Sequence, residues 1–216
     1  VVKALVYGNL GTGGMSKAAF EQSYPDFEPG YRTHTIEHRS IDASGNIGNA
    51  GEYRATVLPG ESPDCTTTVS GKRAGRLIVR SGVTCVDGGT MNGGIMVRAG
   101  ASLVVSDGSR INGGLTADGA DVVHVFGARV NGDSQIRGTT GDLILAGSSF
   151  SESLTLSDNH SSEVTIPSGD TRNYGVGLVG NRVTGFLSCT SNSPGVTNFG
   201  APNSVRGGKG GQCEDL

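Results

Sequence analysis

Along most of this chain apolar residues recur in pairs two positions apart, and the pairs return about every twenty residues. A corner phrase marks each return. Met91-Asn92-Gly93-Gly94 comes back as Ile111-Asn112-Gly113-Gly114 and then as Val130-Asn131-Gly132-Asp133, with weaker copies at Phe150-Ser151-Glu152-Ser153 and Val183-Thr184-Gly185-Phe186. Behind each marker come two positions: Ile95 and Val97, Leu115 and Ala117, Ser134 and Ile136, Leu154 and Leu156, Leu187 and Cys189. Two more precede the next marker: Leu103 and Val105, Val123 and Val125, Leu143 and Leu145, Val176 and Leu178. Alternation by two indicates a strand with one buried face. A single repeat cannot cover its own apolar face, but stacked repeats cover one another. Coils of about twenty residues with three short sides describe a parallel β-helix, whose strands pair from coil to coil about 4.8 Å apart. The predicted fold is all-β, with the β-helix over residues 60–216. A Greek-key sandwich would not require a constant period.

One coil is too long. The markers at Phe150 and Val183 are separated by more than one turn, and the excess, around Asn159 to Tyr174, is polar and predicts a protruding loop. The four cysteines fall into the same frame. Cys65 and Cys85 are one coil apart, as are Cys189 and Cys213 approximately, and matching positions of adjacent coils lie within disulfide reach. The expected bridges are Cys65–Cys85 and Cys189–Cys213, one at each end of the solenoid. Without a CxxC pair, and with His124 and His160 isolated, no metal site is read from the thiols.

Composition agrees. Glycine accounts for 37 of 216 residues without a collagen period, which fits many tight corners. Tryptophan is absent, as suits a narrow interior of stacked Val, Ile and Leu. The net charge of −3 gives no reason to expect nucleic acid or an anionic membrane as partner. No apolar run is long enough for a transmembrane helix. Val1-Val2-Lys3 opens without a signal peptide, so the chain is read as mature, processed or excised from a longer parent. Four cysteines suggest an oxidising, extracellular compartment.

Residues 1–59 do not follow the period. Tyr31 to Asn46 reads as a strand and a turn at Asp42 to Asn46, with a second strand at Glu52 to Leu58. The phrase His34-Thr-Ile-Glu37-His38-Arg-Ser-Ile-Asp42-Ala-Ser-Gly-Asn46 resembles that of small immunoglobulin-like modules in secreted, multidomain actinobacterial proteins. The likeness covers roughly residues 24 to 58 and lacks the opening strands, so residues 1–59 are expected to be a partial immunoglobulin-like segment. The repeat region, ending in Gly195 to Cys213, looks like a tail domain of similar proteins. In such proteins these modules follow a hydrolytic or sugar-active domain, which the resemblance implies for a longer parent chain.

Several motifs bear on function. His34-Thr-Ile-Glu37-His38 matches the inverted zinc-protease signature, whose chemistry needs a helix that places both histidines on one face. Here β-branched residues and an immediate turn predict a strand instead. Catalytic β-helices cleave acidic polysaccharides, either with clustered aspartates or with calcium and a basic residue. No Asp-Asp pair occurs; Asp118 and Asp121 share a corner with Asp107 a coil below, a conceivable calcium site, although corner aspartates commonly bond nearby backbone amides. Asn92, Asn112 and Asn131 should stack into a ladder, bonding from coil to coil if they point inward. Arg110, Arg129 and Arg182 each precede a marker and should form an exterior column. Such a column either binds a carboxylated or sulfated glycan or cell-wall polymer, or is a solvated face paired with local aspartates. No cofactor is expected. The first expectation is a non-catalytic accessory module of an extracellular protein. A polysaccharide lyase or glycoside hydrolase, and a self-assembling scaffold of the bactofilin style, are the alternatives; the cysteines argue against the last.

Overall fold

The apolar pairs behind each marker line one wall of the solenoid, the pairs before the next marker line a second, and the markers themselves form the third. A computed structural model describes residues 33–38, 51–56, 62–106, 108–161, 163–165, 171–173 and 176–216, and all regular structure among them is β-strand. Three parallel sheets of seven strands each run through the repeat region. The marker sheet is built from two-residue strands such as Thr90–Met91, Arg110–Ile111, Arg129–Val130 and Ser149–Phe150. The second sheet holds Ile95–Val97, Leu115–Asp118, Ser134–Arg137, Leu154–Ser157 and their neighbours. The third holds Val83–Val86, Ser102–Val105, Val123–Phe126, Leu143–Ala146 and Val176–Val179 among others.

Register carries the repeat into the core. Leu103, Val123 and Leu143 pair in sequence across adjacent coils, as do Val105, Val125 and Leu145, so like stacks on like along the axis. These side chains are buried together with Met91, Ile111, Val130 and Phe150 from the marker sheet. Ser134, in an apolar column, is buried as well, between Ala117's coil and Leu154. The polar member is tolerated because its hydroxyl bonds the Gly132 carbonyl.

Glycine has two separate uses at the corners. Gly108, Gly127 and Gly147, one per coil after the third sheet, all have positive φ (78°, 56° and 59°), a conformation other residues adopt at a cost. At the corner after the marker sheet the reason is close approach instead: a Cβ on Gly114 would run into the carbonyl oxygen of Asp133 in the next coil.

Both expected bridges are present, and no described cysteine is free. They differ in kind. Cys189 and Cys213 (Cα–Cα 5.3 Å) are both fully buried and close the last coil from inside. Cys65 and Cys85 (Cα–Cα 5.6 Å) meet on the outer face of the third sheet, where Cys85 pairs in register with Thr68 and Val104. From there the chain runs back to Ser62, whose hydroxyl reaches His124 two coils on. Three residues of extended chain span about 10 Å and two coil spacings about 10 Å, so 62–65 is a strap laid along the solenoid axis.

The insertion is narrower than expected. Asn159 does not belong to it: the residue is fully buried at a corner, and His160 still bridges to Ser193 of the next coil. Beyond them Glu163–Thr165 and Thr171–Asn173 form an antiparallel pair. Residues 162, 166–170 and 174–175 lie outside the described residues.

The chain forms two compact units, Val1–Pro59 with Phe199–Ala201, and Gly60–Asn198 with Pro202–Leu216. In the first, Thr33–His38 and Gly51–Thr56 pair antiparallel, with Ile36 opposite Tyr53. The turn expected at Asp42 to Asn46 lies outside the described residues. Because His34 to His38 is strand, the helical placement required by the zinc-protease signature is not formed.

Candidate functional site

The outer face of the marker sheet presents one in-register column: Lys72, Thr90, Arg110, Arg129, Ser149, Arg182 and Ser204. From Thr90 onward each position faces outward because its strand has only two residues and the second is the apolar one that points in; Lys72 is followed by exposed Arg73 instead. Arg110, Arg129 and Arg182 are all exposed. The column is not continuous in arginine, however: Ser149 separates Arg129 from Arg182, so only Arg110 and Arg129 are immediate neighbours. Like charges one coil apart repel unless an anion lies between them. Among the described residues no carboxylate pairs with any of the three. Beside the two neighbouring arginines lies an open depression of about 250 Å³ lined by Gly108, Ser109, Arg110, Gly127, Ala128, Arg129, Gly147 and Ser149. Its floor is backbone and small side chains, because the corner beneath it is the column of left-handed glycines.

Two residues further along the same outer face stands a second column. Asn112 Nδ2 donates to Asn92 Oδ1 at 3.1 Å, Asn131 Nδ2 donates to Asn112 Oδ1 at 3.0 Å, and Ser151 Oγ donates to Asn131 Oδ1 at 3.3 Å. The coil-to-coil amide bonding is as expected, but its location is not. Asn92 and Asn112 are exposed and Asn131 half-buried, so the ladder is exterior. The parity of the strand decides this: Met91, Ile111 and Val130 point in, and the next residue must point out.

The buried amide ladders are elsewhere. At one corner Asn159 Nδ2 donates to Ile136 O and to Asn192 Oδ1, while Asn192 Nδ2 donates to Leu156 O and Gln212 Oε1. At another, Asn181 Nδ2 donates to Leu145 O and Asn203 Oδ1, and Asn181 Oδ1 accepts from the Ser148 N–H. Repetition after removal of the insertion would have revealed them, since Asn159 and Asn192, like Ser148 and Asn181, are separated by 33 residues.

Among the described residues the carboxylates do not assemble into a metal site. Asp118, on the outer face of the second sheet, is held in a fork by Arg137 of the next coil, with Nε to Oδ1 at 3.0 Å and a terminal nitrogen to Oδ2 at 2.8 Å. That fork holds the Asp118 carboxyl below its ordinary range. Asp121 is exposed, and Asp107 lies outside the described residues. Among the described residues no three His, Cys, Asp or Glu side chains are grouped to hold an ion. In the coil above Asp121, burial and, after it, the Asp121 charge raise the pKa of Asp142.

His124 is a buried imidazole. It lies on the outer face of the third sheet between Val104 and Ile144, is 1% exposed, and has the Phe126 ring at 5.5 Å. Nδ1 is 3.0 Å from Ser62 Oγ of the strap, while Nε2 has no partner among the described residues. Burial pushes its pKa down to about 4. Sequence alternation places His124 outward and gives no sign that the outward face is covered.

No helix among the described residues is long and apolar enough to cross a membrane, and the two disulfides point to an oxidising environment. Comparison with protein-family models, with curated proteins and with solved structures finds no match to this chain.

Proposed function

We propose that this β-solenoid is a non-catalytic accessory module of an extracellular protein, and that its marker-sheet face binds an acidic polymer of the polysaccharide or cell-wall kind. The observation that carries the reading is the pair Arg110 and Arg129, exposed and in register, without a carboxylate partner among the described residues and beside an open depression. Two guanidinium groups one coil apart, about 4.8 Å, suit successive anionic groups along an extended polymer, and each can fork onto one carboxylate or sulfate. Several weak contacts along one chain reinforce each other. The resemblance of residues 24 to 58 to immunoglobulin-like modules of secreted multidomain proteins supports the accessory role, with a hydrolytic or sugar-active domain elsewhere in a longer parent. Catalysis in this chain has less support, since Asp118 is engaged by Arg137.

Retention on an immobilised carboxylated polysaccharide tests the reading. Arg110→Ala with Arg129→Ala should elute at lower salt than wild type while keeping its melting temperature, because both residues lie outside the core. Added salt should weaken wild-type binding, as the contacts are exposed and screened. Equal retention of wild type and double variant at low salt would reject the binding face and leave a spacer.

A further inference from the structure

The arginine column has a neighbour whose chemistry is different and complementary. Asn92, Asn112 and Asn131 stand two residues beyond Thr90, Arg110 and Arg129 on the same outer face, so the two columns run side by side along the axis, about 7 Å apart. Each amide is fixed by its neighbours in the ladder, and each retains unused capacity. Asn112 and Asn131 each spend one N–H on the coil below and one Oδ1 lone pair on the coil above. An amide has two N–H donors and two acceptor lone pairs, so Asn112 and Asn131 each have one donor and one acceptor left for solvent, and Asn92, at the end of the ladder, has at least as many. The outward-facing column therefore repeats a donor–acceptor couple once per coil, with its amide planes already oriented.

We infer that the asparagine ladder is the hydroxyl-recognising half of the acidic-polymer face, so that the ligand is a uronate-type or sulfated polysaccharide lying along the solenoid axis. This rests on the reading of Arg110 and Arg129 given above and narrows it. A hydroxyl both donates and accepts, and so matches a couple of one donor and one acceptor. Carboxylate, sulfate and phosphodiester groups only accept, and match the arginines. A sugar acid carries anions and hydroxyls side by side on one ring, whereas in an acidic polypeptide the matching donor and acceptor are the backbone N–H and C=O, separated from the carboxylate by a flexible side chain. Because the ladder holds the amides in place before binding, little side-chain freedom is lost on association.

The test compares two polyanions of matched length and charge, a hexuronate oligomer and poly-glutamate, by titration calorimetry on the whole chain at low salt. Wild type should bind the hexuronate about tenfold more tightly, the worth of one or two hydroxyl hydrogen bonds per occupied stretch. Asn112→Ala with Asn131→Ala should bring that ratio close to one while poly-glutamate affinity stays as in wild type. A ladder of purely structural value would lower the melting temperature of this variant and leave the ratio alone, which overturns the inference. A measurement without any variant guards against loss of fold: O-methylating the ring hydroxyls of the hexuronate should cost wild type the same tenfold, and undiminished affinity for the methylated oligomer also overturns it. Failure of the underlying reading looks different. In that case Arg110→Ala with Arg129→Ala leaves the affinity for both polyanions unchanged.

Discussion

Acid should destabilise the solenoid through His124, and the size of the effect follows from where the imidazole lies. Its folded pKa is pushed from 6.5 down to about 4 by burial between Val104 and Ile144. A depressed histidine pKa means that the unfolded chain takes up the proton first. The associated stability is thus fully present above about pH 6.5, falls as the pH drops toward 4, and levels off below that. The difference of about 2.5 units, at 1.36 kcal/mol each, amounts to about 3 kcal/mol. That is a large share of the stability of a typical domain. Urea denaturation between pH 7 and pH 4 measures it, with His124→Val as the reference. Valine matches the aliphatic Val104 and Ile144 above and below, and Ser62 is exposed enough for water to satisfy its hydroxyl. The three other histidines and the carboxylates, Asp142 included, remain in the variant, so the difference between the two curves isolates His124. Wild type should lose about 3 kcal/mol relative to His124→Val over that range. Parallel curves would show that His124 titrates normally and that the strap over it is open to water.

Two further outcomes follow from the cross-links and ladders. Asn181→Ala should cost about 3 kcal/mol in urea denaturation, because it strands the buried Ser148 N–H and Leu145 carbonyl, whereas exposed Asn112→Ala should cost less than about 1 kcal/mol; equal costs would mean that the buried ladder is hydrated. Peptide mapping without reductant should join Cys65 to Cys85, and replacing both by serine should cost about 3 kcal/mol by the chain-entropy estimate, while hydrogen exchange in Leu143–Ala146 stays slow; loss of protection throughout would show that the strap, not the stacked coils, holds the solenoid together.

Much of the solenoid was legible because a coil-to-coil stack turns a chain period directly into contacts. Leu103, Val123 and Leu143 are buried above one another as their spacing requires, and both cysteine pairs meet because each spans close to one coil. What escaped depended on faces rather than periods. The asparagine marker suggested an interior ladder, yet the inward apolar residue before it forces the amide outward. The interior ladder of Asn159 with Asn192 is masked by the insertion, which stretches its spacing to 33 residues, whereas Asn181 and Asn203, 22 residues apart, keep close to the coil period. Ser149 interrupts the arginine column because that coil carries a different residue at the same register, a substitution visible only once the coils are superposed. His124 stands isolated in the sequence because nothing in its neighbourhood shows that a segment 62 residues earlier covers it.

The most direct test of the proposed binding face is to map it residue by residue. On the whole chain labelled with nitrogen-15, titration with a hexuronate oligomer should shift amide and side-chain signals of Arg110, Asn112, Ser109, Gly127, Arg129 and Asn131, with Arg137 and Asp118 on the second sheet unmoved. Shifts centred on the second or third sheet, or none at millimolar oligomer and low salt, would contradict the account.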